Sequence, residues 1–199
     1  MPRVKHDQAL TFLAHRLREL RTADDEEAAD RDHILAFLAR HADPFDRGIA
    51  EGHLTGSAVV VSDAGDRVLL LHHRKLQRWL QPGGHADPGE TAGEEVALRE
   101  AREETAIAGL VLHPTAPRPL DVDVHAIPAH GSELAHDHLD LRYLVVAPAE
   151  ASAVHRPEES SALQWFAWDE IESLDLDVGL RRLLRKVQAI VRGNTSGAV

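Results

Sequence analysis

Cysteine is absent from the 199 residues, so the sequence offers no disulfide, no thiolate zinc site and no thiol nucleophile. That absence suits a reducing compartment. Aromatic side chains are scarce at 4%, which leaves aliphatic packing to build the core that a 43% hydrophobic content allows. No stretch approaches the ~20 apolar residues a membrane span requires, and the opening MPRVKHDQAL lacks the apolar segment of a secretory signal. These absences predict a soluble, cytoplasmic protein with no membrane partner. Positive charge is also in deficit, with 22 Lys and Arg against 33 Asp and Glu and a formal net charge of −11. Such a field repels polyanions and argues against duplex nucleic acid as a partner. Small phosphorylated molecules stay open, because a bound cation reverses the sign locally. The 14 histidines are scattered, and most read as surface or packing residues.

What is present falls into two parts. Leu10, Leu13, Leu17 and Leu20 repeat at helical spacing and predict a first amphipathic helix. The acidic run Asp24-Asp25-Glu26-Glu27 suits the first turn of a second helix, where the helix dipole favours negative charge. Ile34, Leu35, Phe37 and Leu38 supply its apolar side, and Asp43-Pro44 stops it. The expected division is a helical extension over 1–48 and a main domain over 49–199. Two short helices bury little by themselves. They should pack on the rest of the chain or on a second copy, so homodimerisation through them is an expectation.

From Leu54 the pattern turns to short β-branched and aliphatic runs. LTGSAVVVS (54–62) and RVLLLHH (67–73) flank the turn Asp63-Ala64-Gly65-Asp66, and RWLQP (78–82) reads as a further short strand. PLDVDVHAIP (119–128) and HLDLRYLVVA (138–147) alternate apolar and polar residues, and LQWFAW (163–168) is another strand. GLRRLLRKVQAIV (179–191) is an amphipathic last helix with Leu180, Leu183, Leu184, Val187 and Val191 on one side. The whole predicts an α/β (α+β) sandwich, a mixed sheet with helices against it, preceded by an α-helical hairpin.

The stretch that carries chemistry is Gly83 to Gly109. Glu100, Glu103 and Glu104 stand at i, i+3 and i+4 and share one helical face. Like charges so placed repel, and a hard divalent cation such as Mg²⁺ or Mn²⁺ turns the repulsion into coordination. A solvated acidic face is the plain alternative for a bare ExxEE. The context is GGHADPGE followed by REAREE, which resembles the box of the Nudix hydrolase superfamily. Gly84 and Glu90 have that spacing, and Arg99 to Glu104 match its REUxEE, U being aliphatic. Two departures stand out: one extra residue between Glu90 and Arg99, expected to enlarge the turn at Thr91–Glu94, and Ala106 in place of the usual glycine, which predicts a helix running on towards Gly109. The segments around GHLTGSAVVV, HHRKLQRWLQPGGH, DVDVHAIPA and HLDLRYLVV also resemble a bacterial group of that superfamily with a helical N-terminal extension.

The resemblance implies a Nudix-type α/β/α sandwich and hydrolysis of a diphosphate linkage in a nucleoside diphosphate joined to another moiety. It implies Mg²⁺ (or Mn²⁺) held by Glu100, Glu103 and Glu104, with the Gly84 carbonyl as an extra ligand and the Gly83-Gly84 pair admitting close approach. Arg99 is expected to orient Glu90 or Glu103. The base is expected to be Glu103 or, from a loop, Glu158 or Glu159. A catalytically inactive Nudix-fold nucleotide-binding or regulatory module is the competing expectation, against which the intact glutamates count.

Other polar groups have two readings each. Arg74 and Lys75 could grip a phosphate or be surface charge. Trp79 could stack on a base, but packing is expected. His85 could line the site. Asp121, Asp123 and His125 alternate on one strand, as His136, His138 and Asp140 do on the next. Paired, they would form either a substrate or second-metal cluster or the wet face of a sheet.

Overall fold

The computed structural model describes residues 2–131, 134–154, 156–157 and 160–195. Strand β1, Gly52–Val61, is the centre, and all ten of its positions are buried. A strand apolar on both sides must be covered on both sides. Leu54, Ala58 and Val60 enter one core with Val96, Ala97 and Ala101 of helix α3 (Gly93–Thr105). Val59 and Val61 enter the other with Leu180, Leu183, Leu184 and Val187 of helix α4 (Val178–Thr195). The alternation of β1 therefore produces the α/β/α layering.

One edge of β1 pairs in parallel with β7, His136–Val146, along its full length. The other edge is split. β4, Gly83–His85, takes Thr55 to Ser57, and β2, Arg67–His73, takes Val60 and Val61. β2 also pairs with β3 (Arg78–Leu80) and with β8 (Ser160–Ala167). β6 (Asp121–Ile127) and β5 (Val111–Leu112) share the outer edge of β7. All pairings except β1 with β7 are antiparallel, so the sheet is mixed as the sequence predicts. A 3₁₀ turn, Ile171–Ser173, follows β8. Among the described residues no helix is long and apolar enough to cross a membrane.

Helices α1 (Pro2–Arg18) and α2 (Asp25–Arg40) form the N-terminal hairpin. It packs on its own chain: Leu13, Leu17, Ile34 and Phe37 join the core that contains β1 and α3. Full burial of such a side chain stabilises by about 1.5–3 kcal/mol. Asp24 caps α2 by accepting the Glu27 N–H at 2.8 Å, and Glu27 reaches back to the Ala23 N–H at 2.7 Å, a reciprocal cap. Glu27 is nonetheless fully buried, and its second oxygen accepts from Lys186 of α4. Burial pushes the Glu27 carboxyl up, and the Lys186 hydrogen bond works against it.

That contact opens a buried ionic network. Lys186 lies 3.1 Å from Asp121, which also accepts from the Arg182 Nε at 3.0 Å. Arg142 lies 3.0 Å from Asp123 and 3.2 Å from Asp140. α2, α4, β6 and β7 are thereby joined through charges taken out of water.

The end of α3 departs from expectation. The helix stops at Thr105, and Ala106 itself takes the left-handed C-cap conformation at φ 55°, its N–H bonded to the Arg102 carbonyl. It does not run on towards Gly109. Thr105 contributes to the stop, since its hydroxyl accepts the Ile107 N–H at 3.3 Å. A left-handed non-glycine residue costs about 1–2 kcal/mol, and glycine returns about 0.4–1 of that by loosening the unfolded chain. Ala106→Gly should therefore raise the melting temperature by roughly 1–4 °C, read by circular dichroism during heating.

Candidate active site

The box folds as β4, a turn through Asp87 to Glu90, and α3. Of Thr91–Glu94, where the extra residue is expected, Thr91 and Ala92 precede α3 and Gly93 and Glu94 form its start. Arg99, at the middle of α3, ties these pieces together. Its Nη2 donates to the His85 carbonyl at 2.6 Å and to Glu90 at 3.0 Å, and its Nη1 reaches Glu100 at 3.0 Å and Glu103 at 3.3 Å. Burial pushes the Glu90 carboxyl up, but the bonds from Arg99 and from the Asp87 N–H outweigh it and leave it below its ordinary range. Arg99 is raised above its already high value by Glu90 and Glu100 against the effect of burial, so it is a permanent cation.

The glutamate face meets β4 directly. The Gly83 N–H donates to Glu104 at 2.9 Å. A Cβ on Gly84 would sit 2.6 Å from the Glu100 carboxyl carbon, and one on Gly83 would sit 2.2 Å from the Ser57 hydroxyl. The paired glycines are therefore a close approach of backbone to carboxylate. Glu103 is the more open of the group, with its side chain 50% exposed against 17% for Glu100. Gly84→Ala would push the Glu100 carboxylate aside while leaving the packed backbone alone. A displacement of that order should lower kcat by about 10²-fold with little change in melting temperature, measured on the same preparation.

Arg74 and Lys75 sit in the exposed turn between β2 and β3, and Arg74 donates to the Pro157 carbonyl. Glu158 and Glu159, the loop candidates for the base, lie outside the described residues. Trp79 packs edge-on against Phe166 at 4.8 Å and beside His72 at 5.2 Å.

The opposite face of the sheet carries the second cluster. β6 and β7 do pair, setting Asp123 across from Asp140 and His125 across from His138. The carboxylates and imidazoles then separate. Asp121, Asp123 and Asp140 are held by Arg142, with Arg182 bonded to Asp121, and Asp140 also accepts the hydroxyls of Thr55 at 2.9 Å and Ser57 at 2.7 Å. Burial pushes the Asp123 carboxyl up, yet His125, Arg142 and Arg182 together bring it down to about 2. His125 is raised by the same hydrogen bond. Ion pairs with Arg142, Arg182 and Lys186 hold these carboxylates in the buried network already described.

The imidazoles gather at the other end of the stripe. His136 and His138 of β7 meet His53 of β1 and His85 of β4, because parallel pairing sets His53 beside His138 and antiparallel pairing sets His85 beside Thr55. The sequence reading missed His53. The alternation of His53, Thr55 and Ser57 opposite Leu54 marks a polar face on β1, but nothing local shows which strand lies alongside.

A family model described as the NUDIX domain matches residues 52–187, and the chain belongs to the Nudix hydrolase superfamily. Over 50 residues it is 44% identical to a Bacillus subtilis (strain 168) protein described as a putative 8-oxo-dGTP diphosphatase. That stretch is 25% of this chain and spans a third, 33%, of the relative's length. Among solved structures, the C. elegans Ap4A hydrolase in a binary complex aligns with a TM-score of 0.54 at 21% identity, covering 70% of this chain and 98% of that one. A NUDIX family hydrolase from Clostridium perfringens aligns at 0.51 with 23% identity, covering 69% and 97%. These likenesses establish the fold.

Proposed function

We propose that the protein is a divalent-metal-dependent hydrolase that cleaves a diphosphate linkage in a nucleoside diphosphate joined to another moiety. The observation that carries this reading is the seating of Glu100 and Glu104 against the glycines of β4, with Glu103 beside them on the same helical face. The donor set suits Mg²⁺ or Mn²⁺, because it is made of carboxylate oxygens and a backbone edge. The cradle is also one that any side chain at Gly84 would fill. Such an ion, when bound, would neutralise the diphosphate oxygens and make a water more acidic.

The chain's own residues divide the remaining tasks. Glu100, Glu103 and Glu104, with the Gly84 carbonyl, would hold the metal. Arg99 and Glu90 position them, as their mutual bonds support. Glu103 is the in-box base, having the most open carboxylate; Glu158 and Glu159 are the loop candidates. A nucleotide substrate agrees with the described activity of the Bacillus relative. The division at residue 48, the role of His85, Arg74 and Lys75 towards substrate, and pairing of two chains through α1 and α2 belong to the same proposal. A product-resolved screen of nucleotide sugars, dinucleotides and nucleoside triphosphates with Mg²⁺ or Mn²⁺ tests it. Release of a nucleoside monophosphate or of pyrophosphate is the expected result; no turnover across the panel would favour an inactive binding module.

A further inference from the structure

Behind β4, on the side away from Glu100, the imidazole group has the make-up of a ligand set. Ligand nitrogens of His53, His136 and His138 all lie within 4.8 Å of one another. His53 is the hub: its ring centroid is 5.0 Å from those of His85 and His138 and 5.1 Å from that of His136. The His85 and His138 Nε2 atoms are 3.1 Å apart. A tetrahedral site with metal–nitrogen bonds of 2.0–2.1 Å has nitrogen–nitrogen edges of about 3.3 Å. The His85–His138 edge is therefore already close to that length, and the nitrogens of the trio lie within 4.8 Å of one another.

We infer that His53, His136 and His138, with His85 as the fourth donor, bind one divalent transition metal of the zinc type at a site separate from the glutamate face. The donors are imidazole nitrogens, which suit Zn²⁺ and its neighbours and not Mg²⁺. Burial first, and neighbouring imidazoles with it, lower His138 to about 3, while burial, Arg47, His53 and His136 lower His85 to about 4, so these two rings are neutral at neutral pH. His53 is 2% exposed and the other two of the trio are half-buried, so the ion would be shielded yet reachable. His125 is not in the grouped trio, and its Nδ1 lies 3.2 Å from Asp123. An ion here would clamp β1, β7 and β4 together, and β4 is the strand that seats Glu100 and Glu104.

The site does not depend on the hydrolase reading, and the test keeps the two apart. Untagged full-length protein is stripped with a chelator, equilibrated with Zn²⁺ in excess Mg²⁺, dialysed and assayed for bound metal. Co²⁺ serves as a spectroscopic substitute for coordination geometry. About one zinc per chain is expected, with intense tetrahedral Co²⁺ bands. His136→Ala or His138→Ala, confirmed as folded by circular dichroism, should each weaken binding by at least about tenfold, and the double variant should hold no stoichiometric zinc. The Glu100→Gln, Glu103→Gln, Glu104→Gln triple variant should retain it. The inference is overturned if the native chain holds no zinc, if the double histidine variant holds as much, or if the glutamate variant loses it.

Discussion

Replacing Glu103 with Gln should lower kcat by about 10²–10⁴-fold while leaving the melting temperature nearly unchanged. The two halves of that expectation have separate causes. Gln keeps the volume and the hydrogen-bonding shape but removes the charge that holds a cation or takes a proton. The side chain is half exposed, and its only described partner is Arg99, which retains Glu90, Glu100 and the His85 carbonyl. Little folding energy is therefore at stake. Glu158→Gln and Glu159→Gln, assayed beside it, separate an in-box base from a loop base. If Glu103→Gln retains most of its turnover and one loop variant does not, the base lies in the loop. If excess Mn²⁺ restores most of the lost rate, Glu103 acts as a metal ligand and not as the base.

The second large effect concerns stability. Asp121 is fully buried and faces Arg142, Arg182 and Lys186. Asp121→Ala leaves those cations without their central counter-charge, and breaking a buried pair from one side costs about 3–5 kcal/mol. In a chain of this length that is a fall in melting temperature of roughly 6–20 °C, measurable by calorimetry. Hydrogen exchange should rise first in α2, because Lys186 is also the partner of Glu27. An unchanged melting temperature would show that the network contributes specificity of packing and not stability.

The same residues show why part of this protein could be read in advance. Glu100, Glu103 and Glu104 lie within two helical turns, and a helix places i, i+3 and i+4 together whatever else the chain does. Leu13, Leu17, Ile34, Phe37 and the α4 leucines likewise announced their faces through a local period, and the structure buries them. Ala106 shows where a local rule misleads. The usual glycine relieves strain at a left-handed cap, but its absence did not prolong the helix: Ala106 takes that conformation itself, and Ile107 just beyond it is buried in the core. The Asp and His residues of β6 and β7 show a further boundary. Alternation placed them on one face, yet the choice between water, metal and salt bridge depended on Arg142, opposite in register, and on Arg182 and Lys186, some sixty residues away in sequence.

By itself, then, the sequence determined the mixed α/β class, the acidic helical face and the exclusion of thiol chemistry. These follow from composition and from periods of two and 3.6, which require no knowledge of partners. The tertiary structure alone decided that the N-terminal helices pack on their own sheet, that the carboxylates of β6 and β7 are consumed by buried cations, and that His53 and His85 join His136 and His138. Each of these rests on pairing between strands or helices distant in the chain. A parallel register such as His53 beside His138 is set by the burial of both faces of β1 and by no local signal.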